Sequence, residues 1–333
     1  MDTLAALAFA RELIDIDSTT GREAGAGHWL ADRLRSLGYV VSQQRVDDHR
    51  FNLFATIDPP DIVLSTHYDC VPPFIASSVR DGKLYGRGSC DAKGILAAQV
   101  AALERLRAAG ERRVGLLFVV GEERGSDGAL AANAVANQSN FLINGEPTGN
   151  LIATATRGIL RVRLNATGQA GHSSVAERFE SAIEKLVDAL VRLRGVQLPS
   201  DPELGTTSYS VGLIAGGVAP NVVPAQASAE VMFRTVGDAA DVLATLQSLA
   251  PLVSIEQVLV VPPVRLHTVP GFPSQSFPFT TDIPLLGRWG VPLLTGPGSF
   301  LLAHTDDEHL ELSEFEAGIE TCRRLVSALR QAT

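Results

Sequence analysis

The sequence predicts an α/β protein, a doubly wound and mostly parallel sheet interrupted by a small inserted α+β domain. Three observations carry that prediction. Short apolar runs of strand length alternate with amphipathic helical stretches along the N-terminal part of the chain. Near residue 158 the alternation gives way to strands with one wet face, and near residue 266 it resumes. Finally, 333 residues that are 45% apolar and 20% charged give enough core for one large domain and a smaller one.

Residues 3–37 read as two helices separated by the cap-and-turn segment Asp17 to Gly21. Residues 39–44 and 51–57 have strand character. The Asp58 to Asp61 turn leads into a buried strand that starts at Ile62 and ends at His67. Asp81-Gly82-Lys83 has hairpin-turn chemistry. A helix is expected over 92–109, because Ile95, Leu96, Val100, Leu103 and Leu106 recur at helical spacing. A strand over 114–120, a helix over 127–136 and a strand over 141–143 follow. The middle segment reads strand 158–165, helix 176–193, strands 208–214 and 227–234, helix 238–249 and strand 254–261. That order, β-α-β-β-α-β, is a split βαβ sandwich. The expected division is therefore 1–157 with 266–333 as one domain and 158–265 as the insert. A strand over 291–294 and an amphipathic helix over 311–330 close the chain.

Composition removes several classes of partner. The net charge of -9 and the lack of any basic run argue against nucleic acid and anionic membranes. No stretch approaches the ~20 apolar residues of a membrane-spanning helix. Met1 to Ala10 has an acid at its second position and no basic start, so it is not a secretory signal, and a cytoplasmic location is expected. Cys70, Cys90 and Cys322 are an odd number without framework spacing, as suits a reducing compartment. Cys70 and Cys90 adjoin candidate ligands but form no C-x-x-C pair, and they read as small packing residues.

Five segments carry the chemistry: Ser65 to Asp69, Gly88 to Asp91, Gly121 to Glu123, Asn144 to Glu146, and Ala303-His304. Four of them come directly or shortly after a buried apolar run, and in an open α/β sheet the carboxyl ends of the strands face the ligand crevice. Burying unpaired charge there repeatedly is costly, so a pair of divalent metal ions, zinc by its taste for imidazole and carboxylate, is expected to neutralise it. His67 alone would be a satisfied loop histidine; beside four other clusters it reads as a ligand, with Asp69 fixing its ring. Asp91 could be an ordinary helix N-cap, or a carboxylate bridging two cations. Adjacent Glu122 and Glu123 repel unless a cation or shared proton intervenes, and one can bind metal while its neighbour holds water. A solvated loop pair is the bland alternative. Glu146 sits in a fixed turn before Pro147, and His304 follows the Gly/Pro-rich loop Thr295 to Ser299. His309 reads as a cap or surface residue, His28 and His49 as structural or exposed, and His267 stays undecided.

At these residues the chain resembles the dinuclear zinc amidohydrolases and metallopeptidases that include acetylornithine deacetylase, succinyl-diaminopimelate desuccinylase, aminoacylase and glutamate-releasing carboxypeptidases. The likeness runs from about Ile62 to His304 and takes in Gly88-x-x-Asp91-x-Lys93-Gly94 and Gly145-Glu146-Pro147. It implies that Asp91 bridges two zinc ions, with His67 and Glu146 on one and Glu123 and His304 on the other; cobalt or manganese are the substitutes. It further implies Glu122 as general base, Asp69 supporting His67, and an insert that acts as lid and dimerisation domain of a homodimer. His172 would steady the oxyanion, and Asn221, Arg234 and Arg157 would bind substrate. Phe279 to Asp282 occupies the place of a short Ser/Thr-Asp element. The implied substrate is a small N-acyl amino acid such as acetylornithine, acetylcitrulline or acetyl-lysine, with a dipeptidase, aminopeptidase or desuccinylase activity as the alternative.

Overall fold

A computed structural model describes residues 1–135 and 138–331. The chain forms two compact units. The first takes in Met1–Thr154, Leu266–Gln275 and the part from Thr281 onward, and the second Ala155–Arg265 with Ser276–Thr280. Residues 155–157 and 276–280 thus group with the insert. Residues 332 and 333, at the end of the expected first domain, lie outside the described residues.

In the first unit, α1 (Thr3–Ile14) is capped by the Asp2 carboxylate, which accepts from Ala5 N, and buries Ala6, Phe9, Ala10, Leu13 and Ile14 along one face. Then come α2 (Ala24–Ser36), β1 (Val40–Arg45), β2 (Phe51–Thr56) and β3 (Ile62–His67), the last buried at every residue. Next are α3 (Lys93–Ala108), β4 (Val114–Val119), α4 (Asp127–Ala134) and β5 (Phe141–Asn144). The helix expected to reach Ala136 is helical to Ala134; Ala136 lies outside the described residues. Strand Val291–Leu294 and the helix Leu312–Gln331 complete the unit. The sheet runs β1-β2-β4-β3-β5 and then Val291–Leu294. β4, β3, β5 and Val291–Leu294 are parallel, with Val291–Leu294 at one edge; β2 runs antiparallel to β4, and β1, antiparallel to β2, forms the other edge. His67 pairs with Val119, and both Ser65 and Leu294 pair with Asn144, so the carboxyl ends of these strands meet at one rim. That rim carries the site. No helix among the described residues is long and apolar enough to cross a membrane.

The second unit is the expected sandwich. It holds β6 (Gly158–Thr167), α5 (Ala182–Leu193), β7 (Ser208–Gly216), β8 (Gln226–Thr235), α6 (Ala239–Leu246) and β9 (Ser254–Val261). The sheet order is β7-β8-β6-β9, antiparallel throughout. Leu160, Val162, Leu164, Val231 and Phe233 alternate inward to make its core. The helix expected over 176–193 breaks in two. A short 3-10 stretch covers Ser173–Arg178, and Ser181 then starts α5 by accepting from Glu184 N at 3.3 Å.

Candidate metal centre

His67 closes β3 and is 1% exposed. Its Nδ1 lies 3.1 Å from the Asp69 carbonyl oxygen, and its Nε2 lies 3.0 Å from Asp91 Oδ1. Donation from Nδ1 to that carbonyl leaves the Nε2 lone pair as the one that could bind a metal. The Asp69 carboxylate itself accepts from Glu122 N at 3.1 Å, Glu123 N at 3.2 Å and Thr20 Oγ1 at 2.8 Å. It is thereby occupied in holding the Glu122–Glu123 turn against the end of β3.

Asp91 is not a helix cap. Ala92 takes the N-cap position of α3, and no side chain caps it. The two oxygens of Asp91 instead face different imidazoles, Oδ1 toward His67 at 3.0 Å and Oδ2 toward His304 at 3.4 Å. After β4, Gly121 turns the chain with φ +73, where a Cβ would stand 2.0 Å from Asp127 Oδ1, so only glycine fits. The short 3-10 turn Glu122–Arg124 follows, and Glu123 Oε2 comes within 2.9 Å of His304 Nε2. His304 holds a left-handed φ of +66, uncommon for a residue with a side chain. Glu146, just past β5, is 6% exposed. One ligand atom each from His67, Asp91 and Glu123 lie within 4.8 Å of one another.

The electrostatics are those of a site short of positive charge. Burial, with Glu146 close by, pushes Glu122 well above the usual carboxylate range. Burial likewise pushes Glu146 well up, with His67 opposing and Asp91 reinforcing. Glu123 rises for the same reason, with Asp91 beside it and His304 opposing. Burial pulls His67 down, but Asp69 and Asp91 more than reverse it and leave the ring well above its ordinary value. Hydrogen bonds to Asp91 and Glu123 push His304 up to about 10. Clustered carboxylates, one presenting its two oxygens to two imidazoles, have the hard-and-borderline donor chemistry and negative charge that divalent ions satisfy.

Two further acids belong to this neighbourhood, and sequence reasoning gave neither a role. Asp282 is 1% exposed and pushed by burial up to about 6, and its charge bears on both Glu122 and Glu146. Its Ser/Thr-Asp element was the available signal. Glu308 is buried and accepts from the backbone of the Asp91 loop. His309 is buried in a strand pairing with Tyr85 rather than lying on the surface. His28 packs on Phe51, His49 sits in the Asp47 turn, and His267 lies against Phe141.

In the second unit His172 ends a two-residue strand paired with Val222–Val223, and its Nδ1 accepts from Ser174 N at 3.2 Å. The Asn221 carbonyl accepts from Ser173 N, so both residues belong to one small β-structure. Both side chains are in exposed positions. Arg234 donates to Thr280 Oγ1 at 3.3 Å. Arg157 spends Nε and Nη2 on the carbonyl of Leu204, at 3.0 and 2.6 Å.

A parallel sheet whose carboxyl rim gathers buried acids and imidazoles defines a hydrolase of metal-binding type. More particularly, residues 63–328 match the model of peptidase family M20/M25/M40, and the chain belongs to that family. It is 36% identical over 372 residues to a "Probable carboxypeptidase" of Aspergillus terreus, across 97% of this chain and 86% of that one. Among solved structures it is similar to aminopeptidase PepT of Bacillus cereus, with a TM-score of 0.81, 20% identity and 99% of each chain covered. It is also similar to a dinuclear metal binding peptidase of the M20 family from Bacillus subtilis, with a TM-score of 0.72 and 14% identity over 98% of this chain and 99% of that one. These two likenesses show the fold.

Proposed function

We propose that the protein is a cytoplasmic zinc-dependent amidohydrolase that frees an amino acid by removing an acyl group, acetyl in the first instance, from its α-nitrogen. The observation that carries the reading is Asp91, whose two oxygens face two different imidazoles. Asp91 would bridge two metal ions, with His67 and Glu146 completing one site and Glu123 and His304 the other. When bound, such a pair supplies Lewis acidity, making a water acidic and an amide carbonyl electrophilic. Glu122, already biased toward holding a proton by burial and by Glu146, takes the proton of the attacking water and returns it to the leaving amine. His172 offers the Nε2–H that its accepting Nδ1 implies to the developing oxyanion. Asn221 would add a contact to the substrate. Arg234 and Arg157 would bind the substrate carboxylate, for which a guanidinium is a geometrically suited partner.

A homodimer is proposed through the insert. Strand β7 lies at the edge of its sheet and exposes Val211, Leu213 and Ile214. An apolar open edge of this kind is a template for a second copy. Light scattering should give twice the chain mass, and lysines at Leu213 and Ile214 should return a monomer.

The name carried by the Aspergillus terreus relative favours a second reading, a carboxypeptidase, of which a dipeptide is the smallest substrate. Both readings break the amide on the α-nitrogen of a residue with a free carboxylate, and they differ only in the acyl side. Hydrolysis of acetylornithine, acetylcitrulline, acetyl-lysine, succinyl-diaminopimelate and a set of dipeptides with added zinc separates them. Acetyl amino acids cleaved faster than dipeptides support the first reading; the reverse order moves the assignment to the second. Glu122→Gln should lower kcat about 10²–10⁴-fold on whichever substrate is best while the zinc content stays that of wild type. Robust turnover by that variant would exclude the mechanism.

A further inference from the structure

We infer that the buried pair Arg87–Glu308 is a positioning device that fixes Asp91 and His304 relative to each other. The inference rests on the metal-binding reading above and adds to it the residues that set its geometry. Glu308 Oε1 accepts from three backbone groups of one loop, Gly88 N at 2.9 Å, Cys90 N at 3.0 Å and Asp91 N at 3.1 Å. Its other oxygen receives Arg87 Nη1 at 2.6 Å, and that same nitrogen donates to the carbonyl of Thr305 at 3.0 Å. One end of the pair therefore grips the backbone of Asp91 itself. The other grips the residue next to His304. Both side chains are almost wholly buried, 3% and 1% exposed.

The loop is shaped to converge on that carboxylate. Gly88 takes φ +89, and a Cβ there would stand 2.8 Å from Cys70 Sγ and 3.0 Å from Lys93 Cδ. Without glycine the three N–H groups could not turn toward one oxygen. A buried ion pair contributes little net stability compared with apolar residues of the same shape, because both charges lose their hydration. Its value here is geometric, since it ties together two segments more than two hundred residues apart in sequence, 87–91 and 304–308.

The two halves of the metal centre differ in what else supports them. His67 is the last residue of a fully buried strand, and its ring is fixed by Asp69. His304 lies in an exposed loop, with 52% of its side chain accessible. The Arg87–Glu308 pair is thus the main constraint on the His304 half. Loosening it should weaken the ion shared by Asp91, Glu123 and His304 more than the ion shared by Asp91, His67 and Glu146.

The test is titration of the metal-free protein with Co²⁺, following visible absorption and chelator competition, with far-UV circular dichroism to report folding. Wild type should take up two equivalents. Arg87→Met should bind one equivalent with wild-type affinity and the other about 10–100-fold more weakly, the range for partners that orient a ligand. Arg87→Lys keeps a donor for both oxygens and should recover most of that loss, which a role in packing alone would not give. Should Arg87→Met not fold, Glu308→Gln answers the same question by the same asymmetry. Two wild-type equivalents in the variants, or an equal loss at both, overturns the inference, as does failure of both variants to fold. A wild-type protein that binds fewer than two ions overturns the metal-binding reading instead.

Discussion

The two units handle ionisable residues in opposite ways. In the first, His67, Asp69, Asp91, Glu146, Asp282 and Glu308 are all at most 9% exposed. In the second, the core is Leu160, Val162, Leu164, Val231, Phe233 and their apolar neighbours, while His172 and Asn221 stand in exposed positions. The difference teaches where function leaves an energetic trace. A carboxylate taken out of water must be repaid by a partner, so each buried acid of the first unit is a question that a proton, a cation or a set of hydrogen-bond donors answers. An exposed histidine costs nothing to keep and asks no question. The candidate ligands of the first unit can therefore be picked out on physical grounds, whereas the residues proposed in the second rest on likeness to relatives.

The largest effect that would sharpen this contrast is loss of the proposed bridging acid. If the proposed centre holds two ions, Asp91→Ala should remove both together and abolish activity, as chelation of wild type should, because among the described residues Asp91 faces both imidazoles. Metal content by elemental analysis is the readout. Retention of one full equivalent in the variant would mean that the two halves bind independently and that Asp91 does not bridge.

The same contrast explains what the sequence revealed. The ends of β3, β4 and β5 were legible because apolar runs stop abruptly at His67, Glu122 and Glu146. Asp91 was harder, since an acid one residue ahead of a helix is ordinarily a cap, and only the three-dimensional positions of His67 and His304 distinguish the two roles. Glu308 was hidden for a physical reason. It ends a run of three acids, of which Asp306 and Asp307 are exposed, and composition cannot tell the buried member from the solvated ones. The break before α5 was present in principle as Ser181, an N-cap residue, but an amphipathic pattern running through it concealed it. His309 was misjudged because the strand that buries it is only three residues long.

A middle-sized effect belongs to the second unit. His172→Ala should lower kcat by about 10²–10³-fold, the cost of one oxyanion donor. The melting temperature should hardly move, since the imidazole is exposed and, among the described residues, bonds to the neighbouring Ser174. An unchanged kcat would confine the insert to association and erase half of the comparison.

The smallest effect separates the metal-free from the loaded state through pH. In the metal-free protein, hydrogen bonds to Asp91 and Glu123 raise His304 from an ordinary 6.5 to about 10. The charged ring is therefore favoured by folding. Its stabilisation is complete below about 6.5 and is lost as pH rises through about 10. Metal binding runs the other way, because the ring must give up that proton to coordinate, so affinity at this half should climb across the same interval. Thermal melts of chelator-treated wild type and His304→Gln from pH 6 to 10 report the ring together with its partners Asp91 and Glu123, while His67 is present in both proteins. The wild-type midpoint should decline more steeply than that of the variant. Parallel profiles would mean that His304 is not held by Asp91 and Glu123, and that the exposed half of the centre lacks the charge coupling that marks the buried one.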